Sequence, residues 1–155
     1  MSTLTTNKNF LSPNGFRLTI GAAEFQNLEY FCTYAPLPPI SADGIAVSWR
    51  GKQTAVTGDQ LAYSPLNIRF QVSEYMENYA ELFNWIVFNS KNSEAKLADI
   101  VLHILTSSNN VAKQVRFAGA FPVSLGEIDF HTQSADVEYV TVDASFQYSY
   151  FEFVK

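Results

Sequence analysis

From Glu138 to Lys155 the chain alternates between two unlike sets of side chains. Val140, Val142, Ala144, Phe146, Tyr148 and Tyr150 fall on one side, and Thr141, Asp143, Ser145, Gln147 and Ser149 on the other. Successive strand side chains point to opposite faces, so the pattern predicts one half-buried strand. At roughly 3.4 Å per residue it would run for more than about 40 Å, against a usual strand of about 5–6 residues. One face requires a core. The other carries small polar groups and one acid, with no Lys or Arg before the final residue. Such a surface suits a wall past which an anionic polymer slides without sticking. The same alternation also describes an ordinary antiparallel sheet with one face in water.

The rest of the chain carries the same period. After the turn signal Ser12-Pro13-Asn14-Gly15, Phe16, Leu18 and Ile20 alternate with Arg17 and Thr19. A second strand is expected from Leu28 to Tyr34, stopped by Pro36, Pro38 and Pro39 because proline cannot donate to a ladder. Residues 41–60 read as a projecting hairpin with little alternating apolarity, turning at Arg50-Gly51 and closed by Thr57-Gly58-Asp59. Leu66, Ile68, Phe70 and Val72 mark a clean strand.

The period then changes to 3.6 over Glu74–Phe88. Ser73 is the expected N-cap, and Met76, Tyr79, Ala80, Phe83, Ile86 and Val87 the buried stripe. Ala98–Thr106, Val111–Ala118, Val123–Phe130 and Glu138–Val154 read as the closing strands, with Ser107–Asn110 a hairpin turn. Together these predict a single mainly β domain over residues 1–155. It would be an antiparallel β-sandwich or partly open barrel with one covering α-helix and an N-terminal arm at 1–13.

Composition supports this and narrows the chemistry. Thirteen Phe and eight Tyr against two Met favour pleated surfaces. The net charge of −5 argues against adhesive phosphate binding, which needs clustered Lys and Arg. Cys32 is the chain's single cysteine, sits in an apolar run, and reads as a small core residue. His103 and His131 make no metal-ligand spacing with it. No Gly-x-Ser-x-Gly elbow, Gly-x-Gly-x-x-Gly or P-loop is present, so neither an enzyme activity nor a cofactor is expected. Met1–Asn9 lacks an apolar signal core, and no window approaches the roughly 18 apolar residues of a span, so synthesis in the cytoplasm without membrane insertion is expected.

The order of segments resembles the tail tube proteins of contractile-tailed bacteriophages over roughly residues 14–154. Asn14–Ile20 is similar to that family's opening strand. Phe31-Cys32 followed by Leu37-Pro38 resembles its second strand and exit, and Gly51–Asp59 its hairpin return. Leu66–Val72 with a helix ending near Trp85 matches the next strand and helix. Phe117–Ile128 is the most specific part, an aromatic-Pro pair followed after four residues by an acid in a new strand. The C-terminal strand resembles the closing strand with its aromatic end.

The resemblance implies a virion structural protein of the tail, made in the host cytoplasm. It implies homo-hexameric rings that stack on themselves or on related tube proteins inside a sheath, with the baseplate hub and tape-measure protein as partners. Double-stranded DNA would pass through the bore without specific binding. Thr141, Asp143, Ser145, Gln147 and Ser149, with Asn67 and Gln71, are the expected channel lining. Trp49, Arg50 and Lys52 are the expected inter-subunit residues of the hairpin. A tube-initiating ring at the baseplate, a tail completion protein and a secretion-tube subunit share the pattern. A ligand-binding β-barrel or an enzyme is the alternative of another class.

Overall fold

The computed structural model describes residues 9–21, 31–133 and 139–154. Most of the N-terminal arm, the start of the second strand at Leu28, and Glu138 and Lys155 at the ends of the terminal strand lie outside the described residues. Among the described residues, nine strands and a helix follow in chain order. They are β1 (Phe16–Ile20), β2 (Cys32–Tyr34), β3 (Ile40–Trp49), β4 (Lys52–Tyr63), β5 (Leu66–Gln71), α1 (Glu77–Lys91), β6 (Ala98–Leu105), β7 (Val111–Leu125), β8 (Thr141–Gln147) and β9 (Tyr150–Phe153). Seven strands form one antiparallel sheet in the order β1-β6-β7-β8-β5-β2, with β9 also on β7. The sheet curls into a nearly closed barrel, as the alternating pattern requires.

Alternation builds the core directly. Leu18 and Ile20 of β1, Leu66, Ile68 and Phe70 of β5, Ile100 and Leu102 of β6, Val115 and Phe117 of β7, and Val142, Ala144 and Phe146 of β8 are all buried. Leu82 and Trp85 of α1 close the open side. The helix therefore packs on the inner face of the sheet, opposite the outward residues of β8.

The helix differs from expectation in limits and in face. It runs Glu77–Lys91 rather than Glu74–Phe88, entered through Met76 at φ 57°. Ser73 still caps it in part, its Oγ accepting from the Glu77 N–H at 3.0 Å. The buried stripe is Asn78, Leu82 and Trp85, and Phe83 is 54% exposed. Two amide clamps fix this rotation. Asn78 Nδ2 donates to the Gln71 carbonyl at 2.7 Å, and Asn89 Oδ1 accepts from the Lys96 N–H at 2.7 Å. Turning Phe83 inward would break both.

Two further strand expectations are corrected. Val111–Ala118 and Val123–Phe130 are not separate strands. β7 runs 15 residues through Gly119 and Pro122 and stops at Leu125. Gly119 at φ 63° supplies a kink that L side chains resist. Pro122 is tolerated because β6 pairs only as far as Ala120, leaving that side of β7 an edge. Conversely, the single terminal strand is split. β8 and β9 both run along β7, Gln147 opposite Phe121 and Tyr150 opposite Ala118, but the ladder breaks at Tyr148-Ser149 against the Gly119 kink. One register thus survives across a corner.

Candidate functional site

Six of the seven residues expected to line a channel come together on one outward surface. The antiparallel register sets Asn67 against Ser145, Arg69 against Asp143 and Gln71 against Thr141, with Gln147 one step further along β8. Their inward neighbours Val142, Ala144 and Phe146 are buried, which forces the polar set outward. Ser149 stands apart. It lies in the corner beyond the end of β5, where its backbone N–H donates to the Ala118 carbonyl at 2.9 Å.

Hydrogen bonds tie the strands across this surface. Ser145 Oγ lies 2.6 Å from Asn67 Oδ1. Arg69 Nε donates to Asp143 Oδ1 at 2.8 Å and Nη2 to Oδ2 at 3.5 Å. That hydrogen bond and the carboxylate's charge raise the guanidinium pKa further above its ordinary value. The same guanidinium lies over the Tyr34 ring, 5.9 Å from its centroid, a cation–π contact. Thr33 Oγ1 donates to the Arg69 carbonyl at 3.3 Å. Strand β2 was expected, but its place beside β5 at this surface was not, because pairing partners do not show in a strand's own period.

The hairpin extends beyond residues 41–60. β3 and β4 pair only with each other, from Ile40 opposite Tyr63 to Trp49 opposite Lys52. Arg50 at φ 47° and Gly51 at φ 75° make the tight turn that suits strand twist. Thr57-Gly58-Asp59 does not close the hairpin but forms a bulge inside β4. A Cβ on Gly58 would lie 2.0 Å from the Asp43 carbonyl oxygen.

The expectation of little alternating apolarity is also corrected. Ile45, Val47 and Trp49 share one face, with Val56 opposite Ile45, and all four are exposed. Trp49 is 70% exposed, with the Arg50 guanidinium 5.7 Å from its ring centroid. The ribbon's root is anchored: Tyr63 meets Phe151 at 5.4 Å and Tyr148 at 6.1 Å between ring centroids. Tyr148 Oη donates to the Ser64 carbonyl at 2.6 Å.

Little here resembles reactive chemistry. Among the described residues no three His, Cys, Asp or Glu side chains gather as metal ligands. His103 Nε2 lies 3.1 Å from Thr19 Oγ1 on the opposite half of the sheet. Burial pushes the Cys32 thiol up to about 11, which keeps it protonated near neutrality. An apolar recess of about 580 Å³ opens beside the start of α1, lined by Phe31, Val72, Met76, Ile128, Phe130 and Val140 among others. Among the described residues no helix is long and apolar enough to cross a membrane.

No family model and no curated protein matches the chain. Solved structures do. A chain of the PVC sheath–tube complex, an extracellular contractile injection system in its extended state, superposes with a TM-score of 0.71 at 18% identity, covering 98% of each chain. A chain of the tube terminating cap of the anti-feeding prophage gives 0.76 at 16% identity, over 97% of this chain and 95% of that one. Hcp1 from Flavobacterium johnsoniae gives 0.55 at 15% identity, over 94% and 95%. The chain has the tail tube fold. Within that fold, the polar surface of β5 and β8 and the β3–β4 ribbon lie outside the buried core.

Proposed function

We propose that this chain is a structural subunit of the tube of a contractile injection machine, closing into a hexameric ring. The polar surface of β5 and β8 lines the bore, and the β3–β4 ribbon contacts a neighbouring copy. The ribbon carries the proposal. Ile45, Val47, Trp49 and Val56 form an exposed apolar face on a ribbon that joins no other strand among the described residues. Contiguous exposed apolar surface marks an interaction site. A contact between unlike patches on identical copies closes into a ring when the rotation between copies closes. The tube fold supports this reading, since proteins of sheath–tube and cap assemblies share it.

The outward residues suit a conduit. Their hydroxyls and amides bind a travelling polymer weakly, and the one cation among them, Arg69, is engaged by Asp143. A genome passing to a host cell is one such polymer, with a sheath outside the tube and a baseplate hub below it. A terminating ring is the second reading, favoured by the TM-score of 0.76 with the cap chain. Electron microscopy of the purified chain tests both. Stacked hollow rings identify a tube subunit, and single rings that do not stack identify a terminator. A chain that stays monomeric at high concentration would overturn the assembly reading.

A further inference from the structure

We propose that Arg69 is the residue that determines which charges the bore admits. Paired with Asp143 on every subunit, it keeps the wall electrically neutral, so that cargo is not sorted by the sign of its charge. This rests on the ring reading above.

The outward side chains of β5 and β8 are Asn67, Arg69, Gln71, Thr141, Asp143, Ser145 and Gln147. Arg69 and Asp143 are the two ionised groups among them, and they stand directly opposite each other. The guanidinium meets both carboxylate oxygens, at 2.8 and 3.5 Å. Its stacking on Tyr34 holds the planar group over the acid, a geometry that a lysine would not reproduce.

Folding does not account for the pair. The two side chains are 52% and 65% exposed, and ion pairs this wet contribute little to stability. Charge balance does account for it. On a free surface, isolated charges are screened within about 10 Å at 0.1 M salt. In a ring the same group recurs at one level of a narrow passage, where low-dielectric walls focus its field. Asp143 alone would make a belt of carboxylates that attracts and retains polycations. Arg69 alone would make a belt of guanidiniums that holds phosphates. Together they leave dipoles, which a chain with segments of either sign passes without being caught.

The test compares wild type, Arg69→Gln, Asp143→Asn and the double variant as assembled rings, checked first by electron microscopy. Calorimetry at low ionic strength then measures binding of hexaamminecobalt, a compact trication, and of citrate, a trianion, with unassembled protein as the baseline. Arg69→Gln rings should bind the trication about tenfold or more tightly than wild type. Asp143→Asn rings should gain affinity for citrate instead, and the double variant should return to wild-type behaviour for both. If Arg69→Gln does not close into rings, the citrate result with Asp143→Asn decides. Rings in every variant with unchanged ion affinities would overturn the role of Arg69 and leave the ring reading intact. Absence of wild-type rings would overturn both.

Discussion

The indole of Trp85 stands edge-on to the ring of Phe146, with centroids 6.0 Å apart and planes at 62°, while its Nε1 donates to the Lys96 carbonyl at 2.8 Å. One side chain thus joins the helix, the β8 face of the core and the loop entering β6. Trp85→Ala should cost about 3–5 kcal/mol, as expected for truncating a large buried aromatic. Phe83→Ala, on the exposed face of the same helix, should change stability by less than about 0.5 kcal/mol. Urea unfolding of the two variants checks the contrast. Equal losses would mean that the helix is seated on the other face.

Asn78 is fully buried, and its amide joins Gln71 to Ser73 just before the helix begins. Asn78→Leu keeps the volume but leaves the Gln71 carbonyl and the Ser73 N–H short of a partner. Each unsatisfied buried group costs about 1–3 kcal/mol. Asn78→Asp should also destabilise, since it removes the donor to Gln71. Thermal melts of both variants test this, and a leucine variant as stable as wild type would contradict it.

Trp49→Ala should leave the subunit as stable as wild type, because Trp49 is exposed at the ribbon's tip and lies outside the core. Assembly should suffer instead. A buried interface tryptophan is commonly worth about 2 kcal/mol or more, so the concentration needed for rings or tubes should rise roughly thirtyfold. Sedimentation across a dilution series measures this. Unchanged assembly would remove the ribbon from the interface.

Cys32 makes a pH prediction. Its thiol is raised from 9.0 to about 11 by burial, against a weaker opposing backbone hydrogen bond at Tyr34. The folded state therefore keeps a proton that the unfolded state releases first. Stability should be unaffected below pH 9 and fall as pH rises from 9 towards 11. Alkylation of the folded protein by iodoacetamide should be slow at pH 8 and accelerate near pH 11. Cys32→Ala should lose the thiol's share of the alkaline destabilisation. Rapid alkylation at pH 8 would show an accessible thiolate instead.

The sequence showed most of the fold where period 2 is clean. β1, β5 and β6 each alternate apolar and polar residues against a single core, and their limits lie close to those expected. The helix misled because it carries two competing stripes. Phe83, Ile86 and Val87 are more apolar than Asn78, yet the paired amides at Asn78 and Asn89 decide the rotation. Hydrophobicity alone cannot register a hydrogen bond to the main chain on either side of the helix. Gly119 and Pro122 read as strand breakers because their tolerance depends on which side of β7 is paired.

The candidate surface was visible on β8 through its parity, and on β5 once the strands are registered. Arg69 shares the parity of Asn67 and is balanced by Asp143 directly opposite it. The ribbon's apolar face was legible in Ile45, Val47 and Trp49. Without a core to receive it, that face gave no reason to be counted.

β7 has a consequence for how the chain finds its shape. The turn at Thr106–Asn110 brings β6 and β7 together with a short loop to close, a cheap long pairing within the barrel sheet. Once formed, that hairpin offers one continuous edge of β7 on which β8 and then β9 can zip, carrying β5 and β2 behind them. A nascent chain is therefore expected to organise outward from its middle, with the aromatics of β9 latching onto β7.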